Sequence, residues 1–180
     1  MNDNSNRYKS IAQKKLAFLT AMCLFLSAVE FAVPKPMPFL RLGLANLPII
    51  IALHLLSAPE FFLLIVLKIF VQNLISGTLL SYTVLFSIAG SVSSGIMMFA
   101  VYKILYSKNF ISHVGISLTG SLFNSLAQIL VSYLMIFNEN TKYIAPFLLI
   151  SSLVTGLILG FIAEYFVRNS RWFSIVRSAE

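Results

Sequence analysis

Six apolar runs separated by short polar segments dominate the pattern of the sequence. They cover residues 16–33, 44–56, 61–80, 82–106, 111–137 and 143–167. Runs of about 20 apolar residues match the thickness of a bilayer, where a helix satisfies its own backbone hydrogen bonds. The pattern therefore predicts an all-α membrane protein, a bundle of six transmembrane helices forming a single domain over residues 1–180. The second run is short for a span.

Polar and proline-containing segments mark the ends of the predicted helices. Pro34, Pro36 and Pro38 cannot continue a helix, so we expect a structured loop after the first run. Pro59 and Glu60 suit the first turn of the third helix, where no amide partner is needed and negative charge is favoured. Residues 1–15 form a polar, basic N-terminal segment, and residues 168–180 form a polar, basic tail.

Composition excludes two broad classes of protein. Hydrophobic residues make up 58% of the chain and charged residues 11%, with a mean hydropathy of +0.89. A soluble domain is typically about 45–50% apolar and about 25% charged, so a soluble enzyme and a disordered chain are both excluded. The single cysteine, Cys23, lies in an apolar run, and His54 and His113 have no partner at ligand spacing. We therefore expect no metal site and no cofactor.

The net charge of +7 fits either nucleic-acid binding or membrane orientation. The basic residues cluster at the ends of the apolar runs, which favours orientation and argues against a nucleic-acid partner. With the N-terminus inside, the inner side carries Arg7, Lys9, Lys14, Lys15, Lys103, Lys108, Arg168, Arg171 and Arg177, and the outer side carries Lys35, Arg41 and Lys142. Both termini are thus predicted to be cytoplasmic, in a multi-pass protein of the bacterial cytoplasmic membrane.

Lys68 is the most informative polar residue within a run. It lies about 14 Å along the third helix at ~1.5 Å per residue, close to the middle of the bilayer. A lysine there costs roughly 2.5–3.5 kcal/mol, so it should face the bundle interior with Gln72 one turn further on. Contact with a ligand and structural pairing with Glu30 are both open interpretations. Snorkelling to the surface is disfavoured by the depth.

The fifth and sixth helices carry stripes of polar and small residues. Spacings of four, three and four place Ser117, Ser121, Asn124 and Gln128 on one face of the fifth helix. Asn124 and Gln128 are candidates for ligand contact, with interhelical hydrogen bonding as the alternative, which we prefer for the serines. On the sixth helix, Gly156 and Gly160 predict close helix packing.

Charged residues also gather near the predicted outer surface. Glu30 lies at the outer end of the first helix, and Lys35 and Arg41 lie in the loop that follows. Together with Lys68 they place three cations and one carboxylate around the outer half of the bundle. This set suits a small anionic or zwitterionic molecule. Contact between the loop cations and lipid headgroups is the alternative.

Three elements resemble a known family. They are Glu30-x-x-x-Pro34-x-Pro36, the segment Arg41-Leu-Gly-Leu-Ala-Asn46, and Asn124-x-x-x-Gln128. They are similar to the Gx transporter family, also labelled heptaprenyl diphosphate synthase component I, over residues 12–168. This family is similar in size and layout to the substrate-binding S components of energy-coupling factor (ECF) importers.

The resemblance carries expectations about partners and site residues. It implies six helices with cytoplasmic termini, a loop over residues 34–43 that closes the binding site, and Asn46 within that site. An Ala-x-x-x-Ala element, here Ala17 and Ala21, would dock a transmembrane coupling subunit, which works with two ATPase subunits. The substrate would be a small vitamin or metabolite that enters from outside.

The synthase label prompts a second hypothesis. Prenyl chain elongation needs aspartate clusters that hold magnesium, and the only aspartate is Asp3. The chain also lacks a Walker lysine loop, so active transport would need partner ATPases. We therefore expect a protein without catalytic residues: a capture subunit of an importer, or an accessory membrane subunit in isoprenoid or quinone metabolism. A carrier driven by an ion gradient is disfavoured, because Glu30 is the one carboxylate near the outer cavity.

Overall fold

The computed structural model describes residues 2–32, 43–105 and 111–170, and the described chain is helical. Its helices are α1 (Asn2–Ala32), α2 (Leu47–Ala52), α3 (Ala58–Ile75), α4 (Thr83–Ile104), α5 (His113–Ser132) and α6 (Thr141–Asn169). A 3-10 turn, Leu44–Asn46, precedes α2, and a π-helical turn, Tyr133–Phe137, extends α5. The expected proline loop and the basic tail lie mainly outside the described residues.

Five helices in the described chain are long and apolar enough to cross a membrane, and α2 is the exception. The prediction of six spans is therefore wrong for the second apolar run. Helix α2 has six residues, which cover only about 9 Å at ~1.5 Å per residue. All six are buried, because α1, α3, α5 and α6 surround the helix. A short apolar run does not by itself distinguish a buried helix from a span.

Contacts between helices define two ends of the bundle. Gly90 of α4 lies beside Gln128 of α5, while Met98 lies beside Gly120, so these helices run antiparallel. Helix α6 reverses direction again, since Ser117 contacts Gly156 and Ser125 contacts Leu148. The segment 44–56 starts beside Glu30 of α1 and reaches His113 at the start of α5. We name these the Glu30 end and the histidine end.

The distribution of polarity is the reverse of that in a soluble helix bundle. On α3, Lys68 and Gln72 are each 3% exposed, whereas Val66 is 60% and Phe70 is 54% exposed. Apolar side chains cover the outside of the other long helices as well. Such an arrangement is stable only where the surroundings are apolar. The protein is therefore an integral membrane protein that contacts the lipid bilayer.

Local sequence signals explain how α3 begins. The carboxylate of Glu60 accepts hydrogen bonds from the backbone N–H of Ser57 at 3.0 Å and from its hydroxyl at 2.8 Å. Pro59 occupies the first turn, where its missing N–H costs nothing. The predicted role of Pro59 and Glu60 at the helix start is confirmed.

Helices α5 and α6 pack closely through their small residues. The Ser117 hydroxyl donates to the Gly156 carbonyl at 2.7 Å, and the Ser152 hydroxyl donates to the Ser121 carbonyl at 2.9 Å. A Cβ atom built on Gly160 would lie 2.6 Å from the Cα atom of Val114. The predicted close packing through Gly156 and Gly160 and the interhelical hydrogen bond of Ser117 are confirmed, whereas the Ser121 hydroxyl donates to the Leu118 carbonyl of its own helix.

Candidate functional site

Lys68 lies in the bundle interior, midway along α3. Its side chain is 3% exposed, and Nζ donates to the Asn46 side-chain oxygen and, at 3.1 Å, to the Ser91 hydroxyl. Both of these partners are neutral, so the two bonds satisfy donors without adding a negative charge. The ammonium is held by α4 and by the turn before α2, so it does not snorkel to the surface, in agreement with the depth of Lys68 in the sequence.

The turn before α2 is fixed by a carboxylate and a glycine. The backbone N–H of Leu44 donates to Glu30 Oε2 at 3.0 Å, and Glu30 is 1% exposed. Gly43 has a φ of 86°, a left-handed conformation that L side chains rarely adopt, and its carbonyl accepts from the Asn46 N–H at 2.8 Å. The predicted site residue Glu30 thus holds the segment that places Asn46 beside Lys68.

Two carboxamides of α5 lie against the backbone of α4. A Cβ atom on Gly90 would lie 2.4 Å from Asn124 Oδ1 and 3.4 Å from Gln128 Nε2. A Cβ atom on Gly43 would lie 3.0 Å from Asn46 Nδ2 and 4.0 Å from Asn124 Nδ2. The two glycines therefore let three carboxamides converge around one point. We call the set Asn46, Lys68, Ser91, Asn124 and Gln128 the amide centre.

Gln128 stands out within the amide centre. It is 1% exposed, and in the described structure neither its amide oxygen nor its amide nitrogen has a hydrogen-bond partner. Nearby helix turns carry further buried hydroxyls, on Thr83, Ser87 and Ser132, that also have no partner within the described part of the chain. Buried polar groups are nearly always satisfied in native proteins, and each exception requires an explanation. A polar ligand that completes these bonds supplies one.

The remaining predicted site residues fall into two groups. Gln72 is buried one turn beyond Lys68 on the same face of α3, towards the Glu30 end. Arg41 and Lys35 lie outside the described residues. The sequence predicts only helix packing for Gly90 and Ser91, whereas in the structure Gly90 lies against Asn124 and Gln128 and Ser91 accepts from Lys68. The signal available was the serine- and glycine-rich face of α4, which packing alone also explains.

The predicted docking residues lie on the opposite face of α1 from the bundle. Ala17 and Ala21 are exposed, whereas Leu19, Cys23 and Glu30 are buried against the other helices. Phe25, on the outward side, is 64% exposed. This face is available either to lipid or to a partner helix, and its docking role stays a prediction.

The two histidines lie together in the fold, although neither has a partner at ligand spacing in the sequence. Their Nε2 atoms lie 2.9 Å apart. His54 follows α2 and His113 begins α5, so the fold brings together residues that are distant in sequence. Among the described residues there is still no group of three side chains that could hold a metal ion.

A comparison with known families adds the identification. The family model of heptaprenyl diphosphate synthase component I matches residues 19–166, which is most of the chain. The chain belongs to this family. The match covers α2 to α5 completely, most of α6 and the second half of α1 from residue 19, and so includes every residue of the amide centre. No curated protein matches the chain. No solved structure matches it either.

Proposed function

We propose that this protein is the substrate-binding membrane subunit, or S component, of an ECF-type importer for a small anionic vitamin or metabolite. The observation that carries the proposal is the carboxamide of Gln128, which is buried against Gly90 and has no hydrogen-bond partner among the described residues. A bundle that needed these residues only for packing would lose stability by leaving the carboxamide unsatisfied.

The chemistry of the amide centre suits an anionic ligand with further polar atoms. Lys68 attracts a carboxylate or phosphate strongly, because electrostatic attraction is larger in the low dielectric of the bundle than in water. Asn124 and Gln128 each provide a donor and an acceptor for the rest of the molecule. A few such groups among apolar walls are typical of ligand sites.

Energy for transport would come from partner subunits. The sequence has no Walker lysine loop, so the proposed importer needs two ATPase subunits and a transmembrane coupling subunit. The exposed face of α1, with Ala17 and Ala21, supports docking of that coupling subunit, because small residues let two helices approach closely. In this role the chain itself is not an enzyme, and its termini face the bacterial cytoplasm.

The first test compares bound molecules in two lysine variants. The wild type, Lys68→Met and Lys103→Met are purified in nanodiscs, and released small molecules are quantified by negative-ion mass spectrometry. Lys103 is an exposed lysine on α4 and serves as the control. We expect an anionic molecule in the wild type and the control, reduced at least about tenfold in Lys68→Met, which corresponds to about 1.4 kcal/mol. Equal amounts in all three proteins would contradict the proposal.

The second test examines docking. The chain is co-expressed with candidate coupling and ATPase subunits, and Ala21→Trp is compared with Phe25→Trp, a change on the same side of α1 that adds less bulk. Loss of the complex in Ala21→Trp alone supports docking through the alanine face. If no complex forms with the wild type, the importer role fails.

The family description favours a second candidate, an accessory subunit of prenyl diphosphate synthesis without an active site of its own. In that case the purified chain should stimulate a soluble prenyl synthase, measured as incorporation of isopentenyl diphosphate. The stimulation should survive in Lys68→Met, because a scaffold does not need the amide centre. That result, together with an absence of bound anions, would replace the importer proposal.

A further inference from the structure

A chain of side chains from α4, α5, α6 and the turn after α2 meets at the histidine end. The Tyr102 hydroxyl lies 3.2 Å from His54 Nδ1, and His54 Nε2 lies 2.9 Å from His113 Nε2. His113 Nδ1 lies 3.3 Å from Glu164 Oε2, and Arg168 Nη2 lies 2.8 Å from Glu164 Oε1. None of these residues belongs to the amide centre.

When both rings are neutral and Glu164 is ionised, one set of hydrogen positions satisfies these contacts. An ionised Glu164 can only accept, so His113 Nδ1 carries the hydrogen and, in a neutral ring, His113 Nε2 accepts. His54 Nε2 must then donate to His113, which leaves His54 Nδ1 to accept from the Tyr102 hydroxyl. The two rings therefore hold different tautomers. Glu164 sets the tautomer of His113, and the bond from His113 then sets that of His54.

We infer that His54 and His113 form a proton-binding site that holds α2 against α5 until both rings are charged. A first proton turns the pair into one imidazolium and one imidazole, which still share a hydrogen between the Nε2 atoms. A second proton places a hydrogen on both facing nitrogens, and the bond is replaced by repulsion between two cations. The bond between the rings is thus lost at the second step.

Other charged groups at this end influence the two steps. Helix α6 contributes Glu164 and Arg168, and α4 contributes Tyr102 and the exposed Lys103. Helix α1 brings Lys14 and the buried Lys15 to the same end, and α3 brings Glu60 in its first turn. The carboxylate of Glu164 is the group in direct contact with an imidazole, so it contributes most to binding of the first proton.

The pair acts on a segment that reaches the amide centre. His54 follows α2 after one residue, Leu53, and Asn46, which accepts from Lys68, directly precedes the helix. Release of His54 removes one of the polar contacts that fix this short helix. The inference itself does not depend on the proposed function, because it concerns only protons and the position of α2.

Nuclear magnetic resonance tests the proton site directly. The chain has two histidines, so a sample labelled with ¹⁵N-histidine in nanodiscs gives two imidazole spin systems, and His54→Gln assigns them. At high pH we expect the Nδ1–H tautomer for His113 and the Nε2–H tautomer for His54. On acidification the two rings should take up protons at pH values at least one unit apart, a tenfold difference in affinity. Identical tautomers or independent, coincident titrations would overturn the inference.

Two carboxylate variants sharpen this measurement. Glu164→Gln should weaken binding of the first proton at least tenfold, because the imidazolium loses its ionised partner. Glu60→Gln is the control, since that carboxylate caps α3 and touches neither ring. No change in Glu164→Gln, or equal changes in both variants, would contradict the assigned hydrogen positions.

Hydrogen–deuterium exchange tests the effect on α2. After correction for the intrinsic pH dependence, exchange of the amides in residues 47–54 should rise about tenfold below the second proton step in the wild type. His54→Gln should abolish the rise, because glutamine can still donate to His113 but cannot become charged. A wild type whose α2 exchange follows the intrinsic dependence alone would show that the pair does not hold the helix.

Discussion

Two contacts made by the same polar stripe of α5 differ in how well they are satisfied. Towards the histidine end, Ser117 and Ser121 face α6, and backbone carbonyls accept the Ser117 and Ser152 hydroxyls. Towards the Glu30 end, Asn124 and Gln128 face Gly90 of α4, and the carboxamide of Gln128 has no partner among the described residues. The first contact is complete within the protein, whereas the second has unused hydrogen-bonding groups.

The difference separates a polar residue used for packing from one available for binding. A serine between membrane helices reaches a nearby carbonyl and needs little space, so small residues on both sides give a complete contact. A carboxamide has two donors and two acceptor positions, and these are hard to satisfy between two helices. Hence the residue type, rather than polarity alone, marks the amide centre as the candidate site.

The largest expected effect comes from adding a methyl group between α5 and α6. In Gly160→Ala the new Cβ meets the Cα atom of Val114 at 2.6 Å, and a backbone atom moves only if the helices separate. We expect the free energy of unfolding to fall by about 2–3 kcal/mol. Unfolding in mixed micelles with increasing denaturing detergent measures it.

Gly90→Ala is the matched control for this change. Its Cβ would meet Asn124 Oδ1 at 2.4 Å, which is the end of a side chain that can rotate away. The loss of stability should therefore be smaller, about 1 kcal/mol, while the geometry of the amide centre changes. Equal losses in the two variants would remove the distinction between the two contacts.

Replacing Gln128 should stabilise the ligand-free protein, whereas most substitutions in a protein core are destabilising. In Gln128→Leu an unsatisfied carboxamide is replaced by an apolar side chain of similar volume, so the cost of its burial disappears. We expect the free energy of unfolding of the ligand-free protein to rise by about 1 kcal/mol. The same micelle unfolding experiment, made on protein without bound small molecules, measures the change.

A loss of stability in Gln128→Leu would mean that the carboxamide has partners in the folded protein. The proposal for the amide centre would then lose its main support. Ser125→Ala is a suitable control, because its hydroxyl donates to the Leu148 carbonyl at 3.3 Å and its removal should not stabilise the protein.

Much of the fold could be predicted from the length and polarity of the apolar runs. These properties follow from the bilayer, which demands long apolar helices whose hydrogen bonds are internal. The second run is the exception, because α2 is shielded from water by protein instead of lipid. A helix buried in protein and a helix exposed to lipid both need apolar side chains. The apolar second run therefore predicted a span, although it forms a buried helix.

The candidate site was predictable in its members but not in its contacts. Lys68, Asn124 and Gln128 are visible because polar groups are costly in a membrane helix. The contact of Lys68 with Ser91 depends on how α3 and α4 pack, and no local pattern specifies it. The same applies to His54 and His113, whose contact arises from the position of α2 inside the bundle.

The smallest effect is expected at the contact between α5 and α6, where the hydroxyl groups already have carbonyl partners. In Ser117→Ala the Gly156 carbonyl loses the hydroxyl donor, but a carbonyl inside α6 also accepts the N–H four residues later in the helix. No buried group is left unsatisfied, so the free energy of unfolding should fall by only about 0.5–1 kcal/mol. Binding at the amide centre should not change.

Ser152→Ala, whose hydroxyl makes the reciprocal contact from α6 to α5, should lose a similar amount. A loss above about 2 kcal/mol in either variant would mean that these hydroxyls do more than join two helices.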